Sequence, residues 1–260
     1  MFKRVCIIFA FLTFLLYAGL IISLFYFFRR DVFVGTILSE RVLFSIRLSL
    51  MAATIATFLS VCIAIPSAYA LSRYKFMGKA IIDTILELPM VVSPAALGAI
   101  ILIFFNNPLG NWIQEHGIQF VFAVPGIIIA QFITTAGIAT RMLKAAMDEI
   151  PTKYEDVAHS LGASPLKAFF TVTIPLCKRG IIASAILTWA KALGEFGATI
   201  TVAGSMAMKT ETVPTAIFMR LSSADIKGTV VLIFILIAIG LGILFGTKIL
   251  SRRFMKSLEL

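Results

Sequence analysis

A lysine and a glutamate stand four residues apart inside an apolar stretch of this sequence. Residues 190–200 read AKALGEFGATI, within a longer run composed mostly of Ile, Ala, Leu, Val, Phe and Gly. A charged side chain at the centre of a bilayer costs about 2.5–3.5 kcal/mol, so Lys191 and Glu195 need each other, or water. Two interpretations stay open: a buried ion pair that fixes helix packing, or a pair that lines or gates a path across the membrane.

Polar neighbours of this pair share its face if the segment is one continuous helix. Residues three and four apart lie on the same side of a helix, so Thr188 and Thr199 extend the polar stripe of the charged pair. Small residues on the adjoining face favour close packing of membrane helices. The candidate residues for a translocation path or gate are Thr188, Lys191, Glu195, Phe196 and Thr199.

The composition indicates that these charges belong to a membrane protein. Of the 260 residues, 60% are hydrophobic and 14% are charged, with a mean hydropathy of +1.00, whereas a soluble domain has about 25% charged residues. A spanning helix needs roughly 20 apolar residues, and a barrel strand is about 10 residues long and alternates. We therefore predict an all-α integral membrane protein with six transmembrane helices, at about 5–28, 43–71, 88–105, 120–140, 180–201 and 228–250.

The positive charges predict the orientation of the chain. Cytoplasmic loops carry an excess of Lys and Arg, and this excess falls on one side when the N-terminus is cytoplasmic, while loop 106–119 has neither residue. We expect a multi-pass protein of the cell membrane with both termini cytoplasmic. The net charge of +10 is then an orientation signal and implies no nucleic-acid partner. The three Cys and two His are scattered, so neither a metal site nor catalytic residues are predicted.

The longest inside connection, residues 141–179, has a helical pattern of its own. Within it, residues 151–175 read PTKYEDVAHSLGASPLKAFFTVTIP. Thr152 and Glu155 have the spacing of a capping box, and apolar residues at helical spacing follow. Gly162 is placed to end this first helix in a left-handed conformation.

A second short helix is predicted directly after that glycine. Ser164 can cap it, Pro165 suits its first position, and Pro175 is predicted to stop it. The two short amphipathic helices could lie on the membrane surface or dock a cytoplasmic partner. Periodicity alone favours neither.

This connection resembles the cytoplasmic-loop signature of binding-protein-dependent ABC importer permeases. That signature is Glu-Ala-Ala, three residues, Gly, nine residues and Ile-x-Leu-Pro. Here DVA at 156–158, Gly162 and VTIP at 172–175 keep the full spacing, with four conservative replacements. The resemblance implies a type I ABC importer permease fold whose cytoplasmic coupling helix docks on an ATPase subunit. The implied coupling residues are Glu155, Asp156, Ala158, Leu161, Gly162, Ala163, Ser164, Pro165, Leu166 and Pro175.

Two further segments resemble permeases for oxyanions. ELPMVVSPAALG at 87–98 is similar to their proline-containing core helix, and ALGEFGAT at 192–199 looks most like molybdate and tungstate permeases. Glu195 would repel an anion, so the other polar residues of its stripe are better candidates for lining the path. A sulfate or thiosulfate permease is an alternative. An ATP-independent channel or secondary carrier, or a membrane-anchored structural subunit, would be a protein of another class.

The organisation of the chain follows from these observations. We predict an N-terminal transmembrane helix with an outer loop at 1–42, a permease core at 43–250 and a short cytoplasmic tail at 251–260. The sequence has no Gly-x4-Gly-Lys-[Ser/Thr] loop for ATP phosphates, so this chain would bind no cofactor, and ATP with Mg would belong to a partner ATPase. The implied partners are a second copy of the chain, two cytoplasmic ABC ATPase subunits, an extracytoplasmic oxyanion-binding protein and the lipid bilayer.

Overall fold

The structure is a computed structural model that describes the backbone of residues 2–256 and the side chains of residues 2–243, 245 and 246. This part of the chain is built of helices without a β-strand, as the all-α prediction requires. The helices are α1 (Phe2–Ser23), α2 (Arg30–Ile37), α3 (Glu40–Arg73), α4 (Lys79–Ile85), α5 (Leu88–Val91), α6 (Pro94–Phe105), α7 (Pro108–His116), α8 (Val124–Asp148), α9 (Lys153–Ser160), α10 (Pro165–Ala168), α11 (Ile174–Leu193), α12 (Gly197–Ala203), α13 (Val213–Ser222) and α14 (Ile226–Lys256).

Five stretches of the described chain are long and apolar enough to cross a membrane. They are Phe2–Phe27, Glu40–Arg73, Val124–Asp148, Pro165–Leu193 and Ile226–Ile243. A sixth is the pair Lys79–Val91 and Pro94–Phe105, which passes the same test but bends by 115°. The bend arises because Val92 is extended and Ser93 caps a new helix with Pro94 at its start. The third predicted span is therefore broken, and the total is six if the bent pair is one span.

The fifth predicted span differs most from the expectation of one helix over 180–201. The observed helical stretch begins earlier, at Pro165, and ends at Leu193. A non-helical turn follows, and α12 then starts at Gly197. Glu195 stabilises this break, because its Oε1 accepts a hydrogen bond from the Ala198 amide, 3.1 Å away, at the start of α12. The prediction of one continuous polar stripe on a single helix was wrong for this reason.

The prediction that Pro175 stops the second short helix was also wrong. A π-helical turn (Phe169–Thr173) joins α10 to α11, and Pro175 is the second residue of α11. Proline lacks the amide hydrogen that a regular helix would use, and the wider π-helical turn before it lets the helical path continue. The connection between α8 and this stretch is therefore shorter than 141–179, because α8 extends to Asp148 and the long helical stretch begins at Pro165, with only the short helix α9 between them.

The core is organised around α3, which packs along α8 and α11. Its buried face is rich in alanine, including Ala52, Ala53, Ala56, Ala64 and Ala68. Small side chains let membrane helices approach closely where apolar lipid gives little driving force. By contrast, α1 has no buried residue and presents large apolar side chains on every side. It is therefore suited to contact with lipid.

The two predicted domain boundaries fall within helices. The predicted boundary at residue 42 falls in the first turn of α3, which begins at Glu40. The predicted tail 251–260 begins as a continuation of α14, which reaches Lys256. Residues 257–260 lie outside the described residues.

Candidate coupling and translocation sites

The α9–α10 hairpin, residues 153–168, has the turn that the sequence predicted. Gly162 adopts φ +85°, a left-handed conformation that glycine reaches without the clash a Cβ would make. The Ser164 hydroxyl accepts a hydrogen bond from the Lys167 amide at 3.3 Å, and Pro165 starts α10. The glycine turn and the cap of the second helix are confirmed.

Glu155 does not form the capping box that its spacing suggested. Thr152 makes no side-chain cap, and Glu155, only 6% exposed, turns toward the core. Its Oε1 accepts hydrogen bonds from Arg73 Nε and Thr173 Oγ1, each at 2.8 Å, and its Oε2 accepts one from the Tyr69 hydroxyl at 2.9 Å. Three donors from other elements outcompete one local amide, so the capping-box prediction was wrong.

The same contacts set the protonation state of this carboxylate. Burial acts to raise the pKa of Glu155, but hydrogen bonds from Arg73, Thr173 and Tyr69, with the charge of Arg73, outweigh it and lower the pKa below the usual 4.5. Arg73 also donates from Nη2 to the Ile150 carbonyl oxygen at 2.9 Å. Near neutral pH, Glu155 is thus an ionised group that joins α9 to the C-terminal end of α3.

Several large apolar side chains in and next to the hairpin are exposed. Leu161, beside the glycine turn, is 83% exposed, and Leu166 is 68% exposed. Tyr154, Val157 and Phe170 are exposed as well, and so are Asp156 and Pro165. Ala158 and Ala163 are half-buried, and the Ala163 amide donates to the Ala158 carbonyl at 3.0 Å. Apart from Glu155 and the half-buried Ala158 and Ala163, the predicted coupling residues are therefore exposed.

The charged pair of the opening motif is split between two environments. Lys191 lies in the last turn of α11 with its side chain 46% exposed, whereas Glu195 is 1% exposed in the break before α12. Lys191 Nζ and Glu195 Oε2 are 3.6 Å apart. Glu195 therefore makes two contacts: it accepts a hydrogen bond at the start of α12 and forms an ion pair with Lys191. The side chain of Lys191 stays partly exposed.

The other candidate path residues are more enclosed. Thr188 and Thr199 are buried, and their hydroxyl oxygens have no hydrogen-bond partner within the described chain. Phe196 is half-buried, with its ring centroid 4.9 Å from that of Phe218 on α13. The structure thus brings these residues to one region around the break, but only Lys191 among them is exposed.

Close backbone packing holds this region against α6. A methyl group at Gly197 would lie 2.9 Å from the Ala95 nitrogen, and one at Gly98 would lie 2.9 Å from the Ala198 Cα. These distances are shorter than the 3.4–4 Å of ordinary contact. The two short helices α6 and α12 therefore meet through their glycines.

Sequence reasoning missed the partners of the buried carboxylates. Arg73 and Tyr69 lie at the end of an apolar run, and Thr173 lies in the loop signature, without a local sign of their contact with Glu155. A second pair was also missed: Arg41 donates from Nε and Nη2 to the two oxygens of Glu211, both at 2.6 Å. Within the described residues, no group of three or more His, Cys, Asp or Glu is placed to hold a metal ion.

Comparison with known protein families identifies the family of this chain. The family described as binding-protein-dependent transport system inner membrane component matches residues 60–256. The chain belongs to this family of ABC importer permeases. It is accordingly a transport subunit and not an enzyme, and ATP hydrolysis belongs to a separate subunit.

Individual relatives are transport permeases, among them permeases for molybdenum and for sulfate. This permease is 33% identical over 219 residues to the molybdenum transport permease ModB of Haemophilus influenzae, covering 82% of this chain and 95% of that one. It is 29% identical over 220 residues to the sulfate transport permease CysT of Escherichia coli, covering 84% and 79%. It is 34% identical over 187 residues to "Probable transport system permease protein NifC" of Clostridium pasteurianum, covering 70% of this chain and 65% of that protein.

Solved structures support the fold. A bacterial ABC transporter for the import of alginate superposes with a TM-score of 0.78 at 20% identity, and 96% of each chain is covered. At that identity the likeness concerns the fold. The permease therefore has the type I importer fold that the resemblance implied, and it is a membrane protein with several apolar spans.

Proposed function

We propose that this permease forms the translocation path of an ATP-driven importer for molybdate or tungstate. The observation that carries the proposal is the α9–α10 hairpin, which presents exposed apolar side chains at its tip while Glu155 fastens its other side to the core. An ATP-independent carrier has no need of such a surface. The similarity to molybdenum permeases over most of the chain supports the choice of anion.

The proposed complex contains two copies of this chain, two cytoplasmic ABC ATPase subunits and an extracytoplasmic oxyanion-binding protein. This chain itself would bind no cofactor, because ATP and Mg would be held by the ATPase. Both termini would be cytoplasmic, consistent with the excess of Lys and Arg in the segments on that side. The predicted organisation, with an N-terminal helix at 1–42, a core at 43–250 and a tail at 251–260, is part of the same proposal.

Coupling would pass through the exposed face of the hairpin. Leu161 and Leu166 would insert into an apolar groove of the ATPase, and Asp156 beside them would select a basic rim. The left-handed Gly162 turn sets the angle between the two helices. ATP binding would draw the two hairpins of the dimer together, and hydrolysis would release them. The spans would have two alternative packings, one favoured by bound ATP and the other favoured after hydrolysis.

The break between α11 and α12 is the proposed path region. Lys191 is the candidate for transient contact with an anion, because its ammonium group is exposed and its charge is only partly offset by Glu195 at 3.6 Å. Glu195 would hold α12 and Lys191 in place and would not touch the anion. Thr188, Phe196 and Thr199 are enclosed here, so they would reach the path only in another conformation. A weak site suits transport, since a tight one would stall release.

Uptake by the reconstituted complex tests the proposal. The permease is co-expressed with its ATPase, and liposomes with the binding protein are given labelled molybdate in the presence of excess tungstate or sulfate. Strong competition by tungstate with little by sulfate supports the proposal. The reverse result favours a sulfate importer, the candidate supported by the similarity to CysT. A permease that purifies without an ATPase and transports without ATP would refute both.

A further inference from the structure

Helix α3 carries an arginine near each end, and each arginine is paired with a buried carboxylate from another segment. At the C-terminal end, Arg73 binds Glu155 of α9, and both side chains are less than a tenth exposed. Near the N-terminal end, Arg41 binds Glu211 in the connection between α12 and α13. One helix is therefore fastened at its two ends to two segments that are far apart in sequence.

The C-terminal pair holds one side of α9 and leaves the other side free. Glu155 takes donors from Arg73, Tyr69 and Thr173, which belong to α3 and the π-helical turn. Asp156 and Leu161 of the hairpin are exposed. A force applied to the exposed side of α9 would therefore reach the end of α3 through a short ion pair whose two side chains are each less than a tenth exposed.

The N-terminal pair holds the α12–α13 connection in the same way. Glu211 is 1% exposed, and both of its oxygens accept from Arg41 at 2.6 Å in a bidentate arrangement. Such paired bonds fix orientation as well as distance. Two residues on, the Val213 amide donates to the Ser49 hydroxyl of α3 at 2.8 Å. The start of α13 is thus also fixed to α3.

Helix α3 itself can transmit movement between these contacts. Its 34 residues are helical throughout, including Pro66, and at 1.5 Å per residue they span about 50 Å. Replacing a buried ion pair with apolar residues is often neutral or even stabilising. Stability alone is therefore a weak reason for the buried Arg73–Glu155 pair. It is also a weak reason for Arg41–Glu211, because the arginine side chain is 54% exposed and solvent screens its charge. The placement of both pairs at the ends of one helix indicates a positional role.

We infer that Glu155 and Glu211 are positioning residues that tie the coupling hairpin and the α12–α13 connection to one rigid helix, so that movement of α9 displaces both ends of α3. This inference rests on the proposed function, in which an ATPase moves the hairpin. The two pairs would not create the binding surface for the ATPase. They would determine whether the movement reaches the opposite end of the spans.

The test measures molybdate molecules transported per ATP hydrolysed, with the permease, its ATPase and the binding protein in liposomes. Glu155→Gln and Glu211→Gln keep side-chain size and remove the charge. Each is expected to retain the ATPase on purification and to lower the transport ratio by about fivefold or more, the lower range of typical coupling between sites. Because both act on one helix, the double variant should lose little more than either single variant.

Matched variants keep the outcome interpretable. Glu115→Gln changes an exposed carboxylate on α7 and should leave the ratio unchanged. Should Glu155→Gln fail to fold, Tyr69→Phe removes only one hydrogen bond of the same carboxylate, and it should lower the ratio by a smaller factor. An unchanged ratio in Tyr69→Phe, or in Glu155→Gln with only a lower melting temperature, overturns the inference. A lower transport ratio in Glu155→Gln together with an unchanged ratio in Glu211→Gln also overturns the inference. A wild-type permease that does not bind an ATPase would instead overturn the proposed function.

Discussion

Gly137 offers a direct test of how the broken third span packs on the core. It lies in the middle of α8, and a methyl group there would overlap the carbonyl oxygen of Leu86, well inside the 3.4 Å at which ordinary contact begins. Leu86 directly follows α4, in the first arm of the pair that bends by 115°. Gly137→Ala must therefore push the bent segment away from α8, since backbone atoms have no alternative rotamer.

The magnitude follows from two opposing effects. Overpacking a tight contact costs about 1–3 kcal/mol, and a backbone clash favours the upper end of that range. Replacing glycine by alanine inside a helix stabilises the folded state by about 1 kcal/mol through helix propensity. The net loss is about 2 kcal/mol, or a fall in melting temperature of roughly 4–8 °C for a domain of about this size. Because the bend adjoins the α6–α12 contact, transport should fall as well.

The assay is thermal unfolding of the purified permease in detergent, followed by uptake in liposomes. Gly240→Ala on α14 is the matched control, because nothing lies within 4 Å of its added methyl group. Without a clash, this variant should gain up to about 1 kcal/mol. A Gly137→Ala protein that melts at or above the wild-type temperature would refute the close approach of Leu86 to α8.

Three further predictions concern the two candidate sites. Asp156→Lys should reduce co-purification of the ATPase without changing the melting temperature, because Asp156 is exposed. Gly162→Pro should also reduce co-purification, but with a lower melting temperature, since proline cannot adopt φ +85° and lacks the amide that donates to the His159 carbonyl oxygen. Normal uptake in both variants would remove the coupling assignment. Glu195→Gln keeps an acceptor for the Ala198 amide but loses the charge beside Lys191, so transport or basal ATPase activity should change, whereas a change in stability alone would favour a packing role. The lowered pKa of Glu155 means that its ionised form adds stability that is fully present above the usual pKa of 4.5 and is lost as the pH falls through the lowered value. The difference in melting temperature between wild type and Glu155→Gln should therefore be constant above pH 4.5 and narrow as the pH falls below it. A difference that stays constant in acid would contradict the assignment.

Local features were predictable because their causes are local. The left-handed turn at Gly162 and the cap at Ser164 depend on a few adjacent residues, and both appear as expected. The existence of the spans follows from apolar runs whose length matches the bilayer. Their continuity was not predictable: apolarity is compatible with a straight helix, with the bend at Ser93, and with the break at Glu195.

The class of the protein follows from the sequence, because membrane insertion and the loop signature are both properties of consecutive residues. The use of the charged side chains became visible only in the folded chain. Glu155 binds Arg73, 82 positions away, and Glu211 binds Arg41, 170 positions away. Such choices depend on which donors the packed helices bring together, because a buried carboxylate is stable only beside the groups that replace its water. The same reason explains the opening pair: Lys191 and Glu195 are neighbours as expected, but the acid also caps a helix that the apolar run did not reveal.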